Sequence, residues 1–159
     1  MEHEIALFFL KASKFEYFLV STDISLAKTS SRGLMKKIEG VNWQKVAAIA
    51  EDRCPFDAFD FAASGFAIFK ETAPQFLVDE SGELKWDSDD EPIDSWDHLL
   101  RRSYAQLRNN IAHGNKARLP SAFTYERTGK FLEAGTKLID FIAAGLFDHP
   151  NWELPIEFR

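Results

Sequence analysis

One cysteine, Cys54, stands in 159 residues. No disulfide can form within the chain, and a lone thiol fits a reducing cytoplasm. It has no histidine near it in sequence and reads as a small buried side chain. No apolar run approaches the roughly 20 residues of a membrane-spanning helix. The opening MEHEIALFFL is acidic where a secretory signal would be positive, so no targeting segment is expected. Histidine is scarce, with four in all, and HEIAL lacks the second histidine of a zinc-protease helix. The patterns GxxxxGKS/T, GxGxxG and GxSxG are absent, which removes the P-loop, dinucleotide-binding and nucleophile-elbow classes. The acidic run DSDDE has neither the glycine nor the closing glutamate of a calcium loop and reads as solvated. No metal and no cofactor are therefore expected. No alternating run is long enough to propose a sheet.

What is present is a large apolar inventory, 45% hydrophobic with fifteen phenylalanines. That fills one core and is too much for a disordered chain, so residues 1–159 read as a single domain. Apolar residues recur at steps of three and four, the period of helices with one buried face. The spacing predicts a helix from about Glu4 to Lys28, striped by Phe8, Ala12, Phe15 and Leu19, followed by a TSSRG link. Trp43, Val46, Ala47 and Ala50 predict a short helix stopping before Pro55. Phe59, Ala62, Phe66 and Phe69 predict another, ending near Pro74. Asp94 or Ser95 caps a helix striped by Trp96, Leu100, Tyr104, Leu107 and Ile111, with Gly114 ending it. The last helix is predicted from Ala122 to Phe147, with Phe131, Gly135, Leu138 and Ile142 inward. Gly129, Gly135 and Gly145 offer places for close helix approach. The predicted fold class is all-α, an antiparallel four- to five-helix bundle.

The net charge is −6, which argues against binding nucleic acid over the whole surface. Local charge differs. Residues 79–97 hold nine acidic residues and one lysine, whereas His98 to Tyr125 hold no acid but Arg101, Arg102, Arg108, Lys116 and Arg118. A second positive stretch, Lys28, Arg32, Lys36 and Lys37, is likewise uninterrupted by acid. Either stretch reads as a solvated face or as a phosphate-binding surface.

The acid-free segment contains RNNIAHG. Basic groups and a glycine also end ordinary helices, so a purely structural reading stands beside a functional one. Three details favour function. Asn109 and Asn110 are poor helix formers. Asn109 and His113 share a face at i and i+4, where the amide can orient the imidazole. Ala112 and Gly114 leave room beside the histidine.

In Arg108, Asn109 and His113 the segment resembles the signature of the HEPN superfamily, in which Arg, a polar residue and a His follow at this spacing. The resemblance implies an all-helical homodimeric domain and a metal-independent endoribonuclease, with two motifs facing each other at the dimer interface. It also implies a place in toxin–antitoxin or phage-defence systems, with an antitoxin or neighbouring-gene protein as partner. Asn115 stands where one subgroup carries a tyrosine that its nucleotidyltransferase antitoxin modifies, so that regulation is not implied. Arg108, His113 and Asn109 are then the expected catalytic residues. Arg101, Arg102, Asn110, Lys116 and Arg118 are the expected RNA contacts in a cytoplasmic protein. The alternative is a non-catalytic helical dimer serving protein interaction or nucleotide binding.

Overall fold

The computed structural model describes residues 2–88, 90–112 and 125–154. Helix α1, Glu2–Thr22, starts with Glu2 and Glu4, whose charges suit the positive end of the helix dipole. It buries Phe8, Ala12, Phe15, Phe18 and Leu19, the expected stripe with Phe18 added. It ends six residues before the expected Lys28. Asp23 accepts from the Ser25 amide at 2.8 Å and turns the chain through a 3-10 turn, Ile24–Leu26.

The all-α expectation is overturned at this point. Ala27–Arg32 (β1) and Met35–Val41 (β2) form one antiparallel hairpin, and Phe76–Glu80 (β3) and Glu83–Asp87 (β4) form another. The fold is mixed α/β: a helical core carrying two separate two-stranded sheets. The expected TSSRG link is strand and turn, and the expected acidic loop begins as the second hairpin. Both hairpins close through two-residue turns. Gly33 (φ 62°) opens the first in the manner of a type II′ turn, and Ser81 (φ 58°) with Gly82 (φ 89°) makes the type I′ pattern. Neither hairpin alternates apolar with polar residues, because most of their side chains face water.

Helix α2, Trp43–Arg53, is capped by the Asn42 side chain on the Lys45 amide and ends before Pro55, as expected. The helix predicted over Phe59–Phe69 is instead broken. After a 3-10 turn, Phe56–Ala58, Asp60 caps α3, Phe61–Ser64, and Gly65 stops it in the left-handed region (φ 77°). Helix α4, Ile68–Glu71, follows. The breaks let Phe56, Phe59, Phe61 and Phe66 turn toward Trp96 in one aromatic cluster.

Ser95, rather than Asp94, caps the next helix through the His98 amide. It runs as α5, Trp96–His98, a π segment, Leu99–Tyr104, and α6, Ala105–Ala112. The wider π turn lets Leu99 and Leu100, then Ser103 and Tyr104, both reach the core. Helix α7, Tyr125–Asp140, continues as a π segment, Phe141–Leu146. Phe131, Leu138 and Ile142 are buried as expected. The end predicted at Gly114 and the start predicted at Ala122 lie outside the described residues. The buried side chains of α1, α2, α6 and α7 join in one core. Each fully buried large apolar group there contributes about 1.5–3 kcal/mol. Among the described residues no helix is long and apolar enough to cross a membrane.

Candidate functional site

Helix α6 packs on α1, and that contact fixes Arg108. Its Nε donates to Glu16 Oε1 at 2.8 Å and its Nη2 to Glu16 Oε2 at 2.5 Å, a two-pronged ion pair. Its Nη1 donates to Asn109 Oδ1 at 2.8 Å. A guanidinium has five N–H donors, so these three bonds leave two without a partner among the described residues. Arg108 and Glu16 retain 30% and 16% of their side-chain exposure, so the pair is partly desolvated. Hydrogen bonding to Glu16 raises the Arg108 pKa above its ordinary value and keeps it charged.

Below the pair lies Tyr104, packed edge-on against Phe15 at 6.0 Å and Trp43 at 5.2 Å. Its hydroxyl is buried with no hydrogen-bond partner among the described residues. Burial first, and the charge of Glu16 second, push its pKa well above the usual tyrosine value, so it stays neutral.

Arg108 and Asn109 line a cleft of about 600 Å³ together with Lys28, Trp43, Gln44 and Arg101. One wall is therefore α6. The opposite wall is the base of the β1–β2 hairpin and the start of α2. On its other side Arg108 borders a smaller pocket of about 250 Å³ with Glu16, Ser13 and Phe9.

The remaining expected residues divide. Arg101 lines the cleft but is held two-pronged by Asp97, through Nε–Oδ1 at 2.8 Å and a closer Nη2–Oδ2 contact, which raises its pKa. Arg102 reaches Glu91, with Nη1 at 3.3 Å from the carboxylate and Nη2 at 3.1 Å from the carbonyl. Asn110 is only 8% exposed; its Nδ2 donates to the Gln75 carbonyl at 2.6 Å, and its Oδ1 accepts from Gln106 at 2.9 Å. It braces α6 against the segment before β3, away from the cleft. His113, Lys116 and Arg118 lie outside the described residues.

Four residues of the site were not expected there: Glu16, Trp43, Gln44 and, as part of the cleft, Lys28. Glu16 left a trace, since in KFEYFLV it is the one acid among apolar neighbours, a placement that calls for a cationic partner. Trp43 left none, because its period matched a core position. Among the described residues no three His, Cys, Asp or Glu side chains gather in a way that could hold a metal. Comparison with protein-family models, with curated proteins and with solved structures gives no match.

Proposed function

We propose that the chain is a metal-independent endoribonuclease of HEPN type, cytoplasmic and homodimeric, that cuts RNA by attack of its own 2′-hydroxyl. The observation that supports this most is an anchored arginine at the edge of a polar cleft. Glu16 holds one side of the Arg108 guanidinium, two of its N–H donors have no partner among the described residues, and Asn109 lies beside it. Such a group can grip a phosphate and favour the charge that grows on it, with no reorganisation during the reaction.

In the proposed reaction a base takes the 2′-hydroxyl proton and the 2′-oxygen bonds to phosphorus. The bond to the 5′-oxygen breaks, and an acid protonates that oxygen. The products are a 2′,3′-cyclic phosphate and a 5′-hydroxyl. His113 supplies proton transfer near neutral pH. A two-fold dimer supplies a second His113, so base and acid are both available. A toxin or defence role, with an antitoxin or neighbouring-gene partner, belongs to this reading.

Purified protein is expected to cut single-stranded RNA in EDTA, to leave those ends and to spare DNA of the same sequence. His113→Ala should lower the rate by about two to four orders of magnitude. Arg108→Ala should do comparable damage. Equal activity in wild type and both variants would end the proposal. A second reading, a non-catalytic interaction or nucleotide-binding module, draws on the pairing of Arg101, Arg102 and Arg108 with carboxylates. Ion pairs of that kind also serve simply to join helices, and wild type that binds a partner or a nucleotide without cutting would favour it.

A further inference from the structure

The arginines of the motif helix are ion-paired, whereas among the described residues the unpaired positive charge of the cleft region is on the first hairpin. Lys28, Arg32, Lys36 and Lys37 form no ion pair among the described residues and are exposed. The one acid of the hairpin, Glu39, accepts from Ser30 at 2.7 Å. The register gives the charge its shape. Ser30 stands opposite Lys37, Ser31 opposite Lys36 and Arg32 opposite Met35. Opposed residues share a face and neighbours alternate, so Arg32 and Lys37 project from one face and Lys36 from the other. The pairing shifts between Lys28 and Thr29, where β2 carries one extra residue, Glu39, as in a β-bulge. Lys28 there lines the cleft, with Glu39, Gly40 and Val41. At the far end Leu34 is fully exposed and Met35 largely exposed.

We propose that the β1–β2 hairpin is a nucleic-acid-binding arm: single-stranded RNA leaves the cleft at Lys28, follows Arg32 and Lys37 along one face and turns over the tip to Lys36 on the other, with Leu34 and Met35 against the bases. The inference goes beyond the proposed cleavage and rests on it for the choice of RNA as the ligand and for the strand's path through the cleft. An unpaired lysine can meet a phosphate and release counterions without first breaking an ion pair, so these four cations should dominate the salt dependence. The apolar tip suits unstacked bases, whose faces a paired helix hides. Continuity with the cleft favours RNA over two other occupants of a basic, apolar-tipped hairpin: an anionic lipid surface, and the acidic β3–β4 hairpin of a second copy.

The test uses a fluorescein-labelled 2′-O-methyl single-stranded oligonucleotide, whose blocked nucleophile prevents cutting, with anisotropy followed over a salt series. The variant Arg32→Ala/Lys36→Ala/Lys37→Ala alters exposed side chains and should keep the wild-type circular dichroism. Losing three phosphate contacts at about 0.7 each should flatten the log–log salt slope by about 2, a loss of about a hundredfold in affinity near 0.1 M salt. Leu34→Ser should weaken binding with the slope unchanged. Unchanged affinity and slope in the triple variant would overturn the inference, while cutting of ordinary RNA by wild type would leave the cleavage proposal intact. Hairpin-dependent binding without cutting would do the reverse. Binding of wild type to equal-part phosphatidylserine–phosphatidylcholine vesicles but not to the oligonucleotide would overturn it in favour of a membrane. Salt-sensitive self-association lost in the triple variant, again without oligonucleotide binding, would overturn it in favour of a second copy.

Discussion

Arg108 was legible in the sequence, but its partner was not. The spacing of Arg108, Asn109 and His113 can be read within one helix, whereas Glu16 lies 92 positions away on α1. The pair yields a prediction of its own. Glu16→Ala leaves Arg108 charged but unanchored, and a displacement of about 1 Å at a reacting centre costs about a hundredfold. Single-turnover cleavage by Glu16→Ala is therefore expected to fall about 10- to 100-fold while RNA binding changes little. The stability loss should be about 1–2 kcal/mol, between an exposed pair and a buried one. A stability loss with full cleavage would make the bridge purely structural. Tyr104 makes a second case. Its hydroxyl has no partner among the described residues, and an unsatisfied buried group costs about 1–3 kcal/mol. Tyr104→Phe should therefore raise stability by about 1 kcal/mol in urea denaturation. Its folded pKa is raised, so the stability of the tyrosine protein is unaffected by this group below the ordinary value near 10 and declines above it, where only the unfolded chain gives up the proton. The advantage of the phenylalanine variant should accordingly widen above about pH 10. A variant less stable than wild type would mean that the hydroxyl has a partner.

Among elements, the long helices were legible because each buries one stripe; α1 and α7 keep the expected inward residues, and α2 keeps all but Trp43, which is half-buried at the cleft. The hairpins were not, because alternation marks a strand with one wet and one dry face, and these strands are wet on both. Their signal lay in the turns, in RG and SG, at sites where a left-handed residue is needed. The helical glycines separate in the same way. A Cβ on Gly135 would stand 2.6 Å from the Phe8 ring and 3.1 Å from Leu107, so this glycine sets the close approach of α7 to α1. On Gly129 the Cβ would meet nothing within 4 Å. Gly135→Ala should destabilise by about 1–3 kcal/mol through overpacking. Gly129→Ala should stabilise by about 0.5–1 kcal/mol through helix propensity. Thermal or urea unfolding of the two variants should move in opposite directions; a shift of the same sign would contradict this account of the helix contact.

For the whole molecule, charge along the chain and charge in space part company. Residues 98–125 contain no acid, yet Arg101, Arg102 and Arg108 each meet a carboxylate brought from outside that stretch: Asp97, Glu91 and Glu16. A net charge of −6 on a folded chain makes such meetings common. Among the described residues the unpaired positive charge near the cleft lies instead on the hairpin of Lys28, Arg32, Lys36 and Lys37. At this scale the proposed function requires two copies, and light scattering at micromolar concentration should give twice the 18.2 kDa chain mass. Only monomer would remove the second His113 from the mechanism.

By itself the sequence determined the helical periods, the content of the apolar core, a helix start at Asp94 or Ser95, and the Arg108–Asn109 pair, because each depends on residues close along the chain. The tertiary structure alone decided that α1 supplies Glu16, that Asn110 braces the core, and that the first hairpin folds back to wall the cleft with Lys28. Those outcomes depend on which distant segments share a surface. Local spacing carries no information about that when the strands are solvated and the partner lies on another helix.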